Sequence, residues 1–209
     1  MPQSPQEKYR LAKWRFYKNK SRRPKAERLS LRKKWWALYE AAKRTRLRKE
    51  ADAKKITHTS EAGIALIKEF EGFFSNRYDD GVGVQTIGYG TTTADIKPLP
   101  THVTQPEAEA LLRKSLADKY EPAVRAAEAK YGTKFTQNEF DALVSFVYNL
   151  GPGALALSSG FETLQRALKS KDRRAIADAF LLYSNPNSPA VHAGLLRRRK
   201  AERLLFLKV

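Results

Sequence analysis

The chain contains 209 residues, 42% of them hydrophobic, and carries a formal net charge of +18 at pH 7. This length and apolar content are sufficient for one domain with a buried core and an appendage, so the chain is not disordered as a whole. It has no cysteine, which excludes thiol nucleophiles, disulfides and cysteine-ligated metals.

Most of the positive charge lies in the first 55 residues. They hold twenty Lys/Arg and five Asp/Glu, whereas the remaining residues hold twenty and seventeen. We therefore divide the chain into a basic, aromatic-rich segment, residues 1–55, and a nearly neutral domain, residues 56–209. A basic segment of this kind predicts an anionic partner, which is a wall polymer, a membrane surface or a nucleic acid.

Two helices are predicted in the basic segment. The first follows the capping-box sequence SPQE, which begins at Ser4, and the second runs from about Lys25 to Glu50. All three tryptophans of the chain, Trp14, Trp35 and Trp36, lie in these helices. They form either the small core of a helical hairpin or an aromatic binding face among cations, and the sequence leaves both interpretations open.

From Ser60 onward the pattern predicts an α+β domain. An apolar-periodic helix through SEAGIALIKEFE ends at Gly72, and a β-hairpin with Asp80-Gly81 in its turn follows. Four or five helices come next, with capping boxes at TQPE, TQNE and SGFE marking helix starts and AGLLRRRKAERLLFL forming the last helix.

Several features limit cofactors and localisation. The histidines His58, His102 and His192 lack the spacing of metal ligands, so we expect neither a metal nor another cofactor. No apolar run is long enough to span a membrane, and the N-terminus lacks the apolar segment of a signal peptide. If the substrate lies outside the cell, another protein must release this one.

Three polar residues around the hairpin indicate the chemistry. Glu71 ends the helix, Asp80 lies nine residues later in the turn, and Thr86 lies six residues further on in the returning strand. A hairpin brings Asp80 and Thr86 to the same small volume, with Glu71 facing it from the helix end. One neutral and one ionised carboxyl group across a groove are the arrangement that hydrolysis of a glycosidic bond requires.

The segments EG, YDD and TIGYG resemble the phage-type lysozymes, the T4-like and lambdoid-phage endolysin family. The signature of that family is Glu, eight residues, Asp, five residues, Thr, and the spacing here matches all three positions. The resemblance continues through FTQNEFDALVSFVYNLGPGAL and the last helix, and it covers about residues 56–209. It implies a small hairpin lobe joined by a long helix to a helical lobe, with the sugar chain in the cleft between them.

The resemblance also implies an activity and roles for residues. The substrate would be peptidoglycan, cleaved at the β-1,4 bond between N-acetylmuramic acid and N-acetylglucosamine. Glu71 would be the general acid, Asp80 would align the attacking water and Thr86 would help to hold it, and we favour an inverting reaction. The substrate-binding candidates by family position are Tyr89, Tyr148 and Asn149.

Other charged residues near the motif are open to two interpretations. One of Arg197, Arg198 and Arg199 approaches the acid by resemblance, whereas a solvated helix face is an equally good interpretation for two of the three. The neighbouring acids Glu69 and Asp79 break the family spacing and are expected to be surface residues. The sequence departs from the family at Thr91, where many relatives carry a structural histidine.

The resemblance further implies a monomer that stays in the host cytoplasm until a holin-type partner releases it to the cell wall. For residues 1–55 we favour an anionic wall polymer or membrane surface as the ligand. The main alternative for the whole chain is a nucleic-acid-binding protein, which would not explain the spacing of Glu71, Asp80 and Thr86. A wall-binding protein without catalysis has no support, because all three positions are filled.

Overall fold

The computed structural model describes residues 25–53, 56, 58–79, 83–156 and 160–208. It divides into two compact units, one containing helix α1, Lys25–Ala53, and one formed by the residues from 56 onward. Helix α1 confirms the second basic helix, whereas the helix predicted after Ser4 lies outside the described residues. The predicted helical hairpin and the separate roles of residues 1–55 and 56–209 stay predictions.

The first helix of the second unit carries Glu71 at its end. Helix α2, Glu61–Glu71, starts at Ser60, whose hydroxyl accepts a hydrogen bond from the N–H of Ala62. It buries Ile64 and Ile67, which lie three residues apart on one face. The helix ends as predicted because the next residue, Gly72, adopts φ = +70°, a conformation that side chains disfavour.

The sheet has three antiparallel strands in chain order: β1, Phe74–Asp79, β2, Gln85–Gly88, and β3, Thr91–Thr92. Strands β1 and β2 form the predicted hairpin, and the register pairs Tyr78 with Thr86. On its other side Thr86 pairs with Thr92. The short strand β3 was not predicted, because two residues carry no alternating pattern.

Six α-helices follow the sheet in the described part of the chain, instead of four or five. They are α3, Gln105–Ser115, α4, Glu121–Tyr131, α5, Gln137–Leu150, α6, Glu162–Ser170, α7, Arg173–Phe180, and α8, Pro189–Leu207. A π turn, Leu116–Tyr120, connects α3 to α4, and a 3₁₀ turn, Pro152–Leu155, follows α5. The capping boxes at Thr104 and Thr136 are confirmed at the starts of α3 and α5.

Helices α4 and α7 begin at positions where no helix start was predicted. At α6 the predicted box begins at Ser159, which lies outside the described residues, and Phe161 occupies the N-cap position without a capping hydrogen bond. A separate cap at Asp172, which accepts from the N–H groups of Arg174 and Ala175, starts α7 only two residues after α6 ends. A break of two residues, Lys171 and Asp172, therefore separates α6 from α7.

Helix α5 lies at the centre of the core. All nine residues from Glu139 to Val147 are buried, so the helix is covered on every side. It packs against α2 and α8, and Phe146 stacks on Phe180 of α7 with the ring centres 4.9 Å apart. Because α2 ends at Glu71, this packing fixes the acid against α8. In the described residues, no helix is both long and apolar enough to cross a membrane.

Candidate active site

The carboxylate of Glu71 is held from the helical side by an arginine. Arg198 Nη1 lies 2.6 Å from Glu71 Oε1, and the two side chains are 4% and 22% exposed. Arg198 is therefore the member of the three consecutive arginines that approaches the acid. Only Arg197 is exposed, with its guanidinium 5.1 Å from the centre of the Phe70 ring. The interpretation in which two of the three are solvated is wrong, because Arg199 is also fully buried.

Behind Arg198 lies a buried carboxylate that contacts both arginines. Glu202 Oε1 accepts from Arg198 Nε at 3.2 Å and from Arg199 Nη2 at 2.9 Å, and its Oε2 lies 2.8 Å from Arg199 Nε. Ser145 of α5 donates its hydroxyl to Glu202 at 2.8 Å. Its carbonyl oxygen accepts from Arg198 Nη2 at 3.2 Å. The Nε and Nη2 groups of Arg198 are thus held by acceptors on α8 and α5.

Burial changes the acid–base properties of this buried group. It raises the pKa of the Glu202 carboxyl, and the charges of the Arg199 and Arg198 guanidinium groups act in the opposite direction. Burial also lowers the pKa of Arg199 to about 10, although the Glu202 carboxylate acts in the opposite direction. The guanidinium carbon of Arg199 lies 4.8 Å from the centre of the Phe146 ring, which supplies a further favourable contact.

The second oxygen of Glu71 faces a glycine. A Cβ placed on Gly90 would lie 3.4 Å from Glu71 Oε2 and 3.1 Å from the hydroxyl of Tyr148. That hydroxyl donates to the carbonyl oxygen of Tyr89 at 2.7 Å. Burial, and next the charge of Glu71, raise the pKa of Tyr148, so the phenol stays neutral. No hydrogen bond to Glu71 Oε2 is found among the described residues.

The structure places Thr86 but not Asp80. Thr86 is 5% exposed in the middle of the sheet, and its hydroxyl donates to the carbonyl oxygen of Val84 at 3.3 Å. Asp80 and Gly81 lie outside the described residues, so the predicted grouping of Asp80 with Thr86 and Glu71 stays a prediction. The adjacent Asp79 accepts from the Gly83 N–H at 3.1 Å. That bond gives Asp79 a role in holding the turn.

The predicted substrate-binding residues lie close to this site, with their polar groups already engaged. Tyr89 is only 4% exposed and its ring packs on Phe73, which leaves little surface for a sugar. The side-chain oxygen of Asn149 accepts from Arg199 Nη2 at 3.0 Å. These contacts favour roles in shaping the site, and direct substrate contact stays a prediction for Tyr89, Tyr148 and Asn149.

The sequence reasoning missed Glu202 and Ser145. A signal was present for Glu202, because Arg199, Glu202 and Phe206 recur at spacings of three and four and hence share one helix face. An acid between a basic and an aromatic residue on that face indicates a buried ion pair. For Ser145 the sequence offers no signal, because its contact with Glu202 joins residues 57 positions apart.

The histidines are dispersed. The Nδ1 atoms of His58, His102 and His192 contact Glu121, Asn76 and the carbonyl oxygen of Ser184, respectively. Among the described residues, no group of three or more histidine or acidic side chains is arranged to hold a metal ion.

Comparison with known proteins places this geometry in context. The sequence model of the phage lysozyme family matches residues 68–202. The chain is 39% identical over 151 residues to the endolysin of Bacillus phage B103, covering 71% of this chain and 53% of that protein. It is 35% identical over 152 residues to the endolysin of Salmonella phage P22, covering 71% and 97%. The chain thus spans about half the length of the Bacillus phage relative.

A solved structure supports the same comparison. The muramidase domain of SpmX from Asticaccaulis excentricus is 34% identical to this chain and superimposes with a TM-score of 0.61. The match covers 74% of this chain and all of that domain. The α+β lysozyme-like fold is therefore confirmed.

Proposed function

The chain belongs to the phage lysozyme family, and we propose from this premise that it is an endolysin that hydrolyses bacterial peptidoglycan. The bond cleaved is the β-1,4 linkage between N-acetylmuramic acid and N-acetylglucosamine. The observation that carries the proposal is the environment of Glu71, a partly exposed carboxyl group at a helix end with one oxygen on a buried arginine. The names of the relatives, endolysins and a muramidase domain, support the substrate class.

Glu71 is the general acid in this proposal. Its Oε1 is bound to Arg198, so the proton is carried by Oε2, the oxygen that faces Gly90. From there it passes to the glycosidic oxygen as the bond to the sugar breaks.

Asp80 is the second carboxyl group, which aligns the attacking water, and Thr86 helps to hold that water. An inverting reaction requires carboxyl groups roughly 6.5–9.5 Å apart, to leave room for water, whereas about 5 Å favours retention. The anomeric configuration of the first product, followed by NMR during the digest, distinguishes the two. An initial α-anomer supports inversion, and an initial β-anomer contradicts it.

The catalytic assignment is tested with Glu71→Gln and Asp80→Asn. We expect each variant to clear a peptidoglycan suspension at least about 100-fold more slowly than the wild type, because a positioned acid or base contributes about 10²–10⁴-fold. Glu69→Gln is the matched control, since Glu69 is exposed on the same helix and the charge change is identical. A folded Glu71→Gln variant with the wild-type rate contradicts the assignment. Muropeptide analysis identifies the bond that is cut.

A second proposal concerns helix α1, whose described side chains support binding to an anionic polymer of the wall. Trp36 is 56% exposed, and its ring lies 5.6 Å from that of Tyr39. Arg32, Lys33 and Trp36 line one shallow pocket on the helix surface. Exposed aromatic rings among cations suit a polymer that carries phosphate groups and sugars. The exposure of Trp36 favours the binding-face interpretation over the core interpretation for this tryptophan.

Sedimentation of the protein with isolated cell walls tests this proposal. The variant Arg32→Gln/Lys33→Gln should bind walls more weakly, with a smaller dependence on salt, and should hydrolyse purified peptidoglycan at the wild-type rate. Lys130→Gln/Lys169→Gln is the matched control, because it removes two exposed cations from the other unit. Equal losses in both double variants would refute a site on α1. If the protein binds DNA or anionic vesicles more tightly than cell walls, the wall polymer is not the ligand of α1.

The route to the wall belongs to the proposal as well. We place the protein in the host cytoplasm as a monomer until a holin-type partner permits its release to the wall. Fractionation of host cells before and after the membrane is permeabilised tests the route. Activity already present on the outer side of the membrane before permeabilisation contradicts it.

A further inference from the structure

Four charged groups form a row from the candidate acid into the core. Glu71 contacts Arg198 at 2.6 Å, Arg198 contacts Glu202 at 3.2 Å, and Glu202 contacts Arg199 at 2.8 Å. The charges alternate along the row, and exposure falls from 22% for the Glu71 side chain to zero for Glu202 and Arg199. The outermost group is thus the only member with substantial contact with water.

We propose that Glu202 is a positioning residue that controls the protonation of Glu71 through Arg198. The inference rests on the proposed function, in which Glu71 must be protonated to act. Glu202 acts in two ways: it fixes the direction of the Arg198 guanidinium, and its negative charge offsets one of the two positive charges that would otherwise favour an ionised Glu71.

A packing role alone does not account for this arrangement. Removing a carboxylate and two guanidinium groups from water is unfavourable, and apolar residues of similar size often give equal or greater stability at such positions. Glu202 Oε1 accepts hydrogen bonds from both arginines and from Ser145, whereas Oε2 lies 2.8 Å from Arg199 Nε without a hydrogen bond among the described residues. With Glu202 ionised, the row behind Glu71 has a net charge of one positive unit instead of two.

The other groups near the row are accounted for. The polar and titratable side chains that face it from neighbouring elements are Ser145, Tyr148 and Asn149 on α5 and Tyr120 in the π turn. Burial raises the pKa of both tyrosines, so neither carries charge in the working range. Ser145 and Asn149 are neutral. The charge of Asp95 acts on both tyrosines and that of Lys119 on Tyr120, and these two groups pair with each other at 3.3 Å. The variants below leave this pair unchanged.

The pH dependence of kcat/KM tests the proposal with three variants of the full chain. Glu202→Gln should move the alkaline limb of the profile to lower pH by about half to one unit, because Arg198 and Arg199 lose their shared anion. Arg199→Met removes a cation and should move the limb in the opposite direction. Ser145→Ala removes one hydrogen-bond donor from Glu202 but no charge, so it should shift the limb less than Glu202→Gln does.

A purely structural role predicts losses of rate and stability without shifts of opposite sign. An unchanged limb in both charge variants, or shifts in the same direction, overturns the proposal. If Glu202→Gln does not fold, the result for Arg199→Met alone decides. An alkaline limb that stays in place or moves to lower pH in Arg199→Met then overturns the proposal.

A second readout separates this inference from the proposed function. The titration midpoint of the Glu71 carboxyl group is followed by ¹³C NMR, with its resonance identified by comparison with Glu71→Gln. A lower midpoint in Glu202→Gln supports the inference even if the protein fails to hydrolyse peptidoglycan. If the wild type hydrolyses peptidoglycan and the midpoint of Glu71 is unchanged in Glu202→Gln, the inference is refuted and the proposed function is retained.

Discussion

Adding one methyl group at Gly90 should damage catalysis without unfolding the protein. Gly90 has φ = +89°, and a Cβ there would lie 3.1 Å from the Tyr148 hydroxyl and 3.4 Å from Glu71 Oε2. The first distance is shorter than nine in ten Cβ contacts in proteins, so Tyr148 must move by a few tenths of an ångström in Gly90→Ala. That movement strains the 2.7 Å hydrogen bond from Tyr148 to the Tyr89 carbonyl.

Comparison of Gly90→Ala with Gly160→Ala separates the effect on stability from the effect on activity. Gly160 has φ = +92°, and within the described residues a Cβ there meets nothing inside 4 Å. Both variants should lower the free energy of unfolding by about 1–2 kcal/mol, since each forces a side chain into a left-handed conformation. In a protein of this size that corresponds to a fall in Tm of about 2–8 °C.

Only Gly90→Ala should lower activity at a temperature where both variants are folded. A displacement of about 1 Å in a reacting group reduces rates up to about 100-fold, so we expect a loss of about 10-fold or more in peptidoglycan clearance. Thermal unfolding by circular dichroism gives the stability change, and turbidity loss gives the rate. Wild-type activity in Gly90→Ala would refute the placement of Gly90 beside the reacting carboxyl group, as would an equal loss in Gly160→Ala.

Three further changes test the packing around the site. Thr91 is 1% exposed, and its hydroxyl has no partner among the described residues. Thr91→Val should therefore raise the free energy of unfolding, measured by urea titration, by about 1 kcal/mol. A lower free energy of unfolding would show that the hydroxyl has a partner. Burial would raise the pKa of Asp95, but hydrogen bonds from Thr92 and the charge of Lys119 outweigh it and lower the pKa. Asp95→Asn should therefore have a lower free energy of unfolding than the wild type at neutral pH, and the difference should shrink as pH falls below about 3.8. A difference in free energy that does not change with pH contradicts this. Ser60→Ala removes the cap of α2 and also leaves Asp141 with one donor fewer. It should lower the free energy of unfolding by about 1–2 kcal/mol. An unchanged urea midpoint contradicts this.

Much of the fold could be predicted because its signals are local. A capping box needs only four consecutive residues, and the boxes at Thr104 and Thr136 both form. The helix that ends at Gly72 and the hairpin that follows depend on glycine conformation and on alternation over a few residues. The π turn that ends at Tyr120 and the short strand at Thr91 were missed, since neither leaves a repeating pattern in the sequence.

The candidate site, too, could be predicted from the sequence only in part. The spacing of Glu71 and Thr86 is a property of the sequence, and resemblance supplies their proposed roles. The choice of Arg198 from three consecutive arginines was not available from the sequence, because a one-residue step rotates a helical side chain by about 100° and only the packing of α8 selects the face.

By itself the sequence determined most of the helices, the hairpin, the basic N-terminal segment and the family motif, because propensity, caps and charge act between residues that are close along the chain. Tertiary structure alone decided that Arg198 contacts Glu71, 127 positions away, and that Glu202 lies buried behind it. Such contacts depend on how α2, α5 and α8 pack, and a buried charge is stable only where that packing supplies its partners.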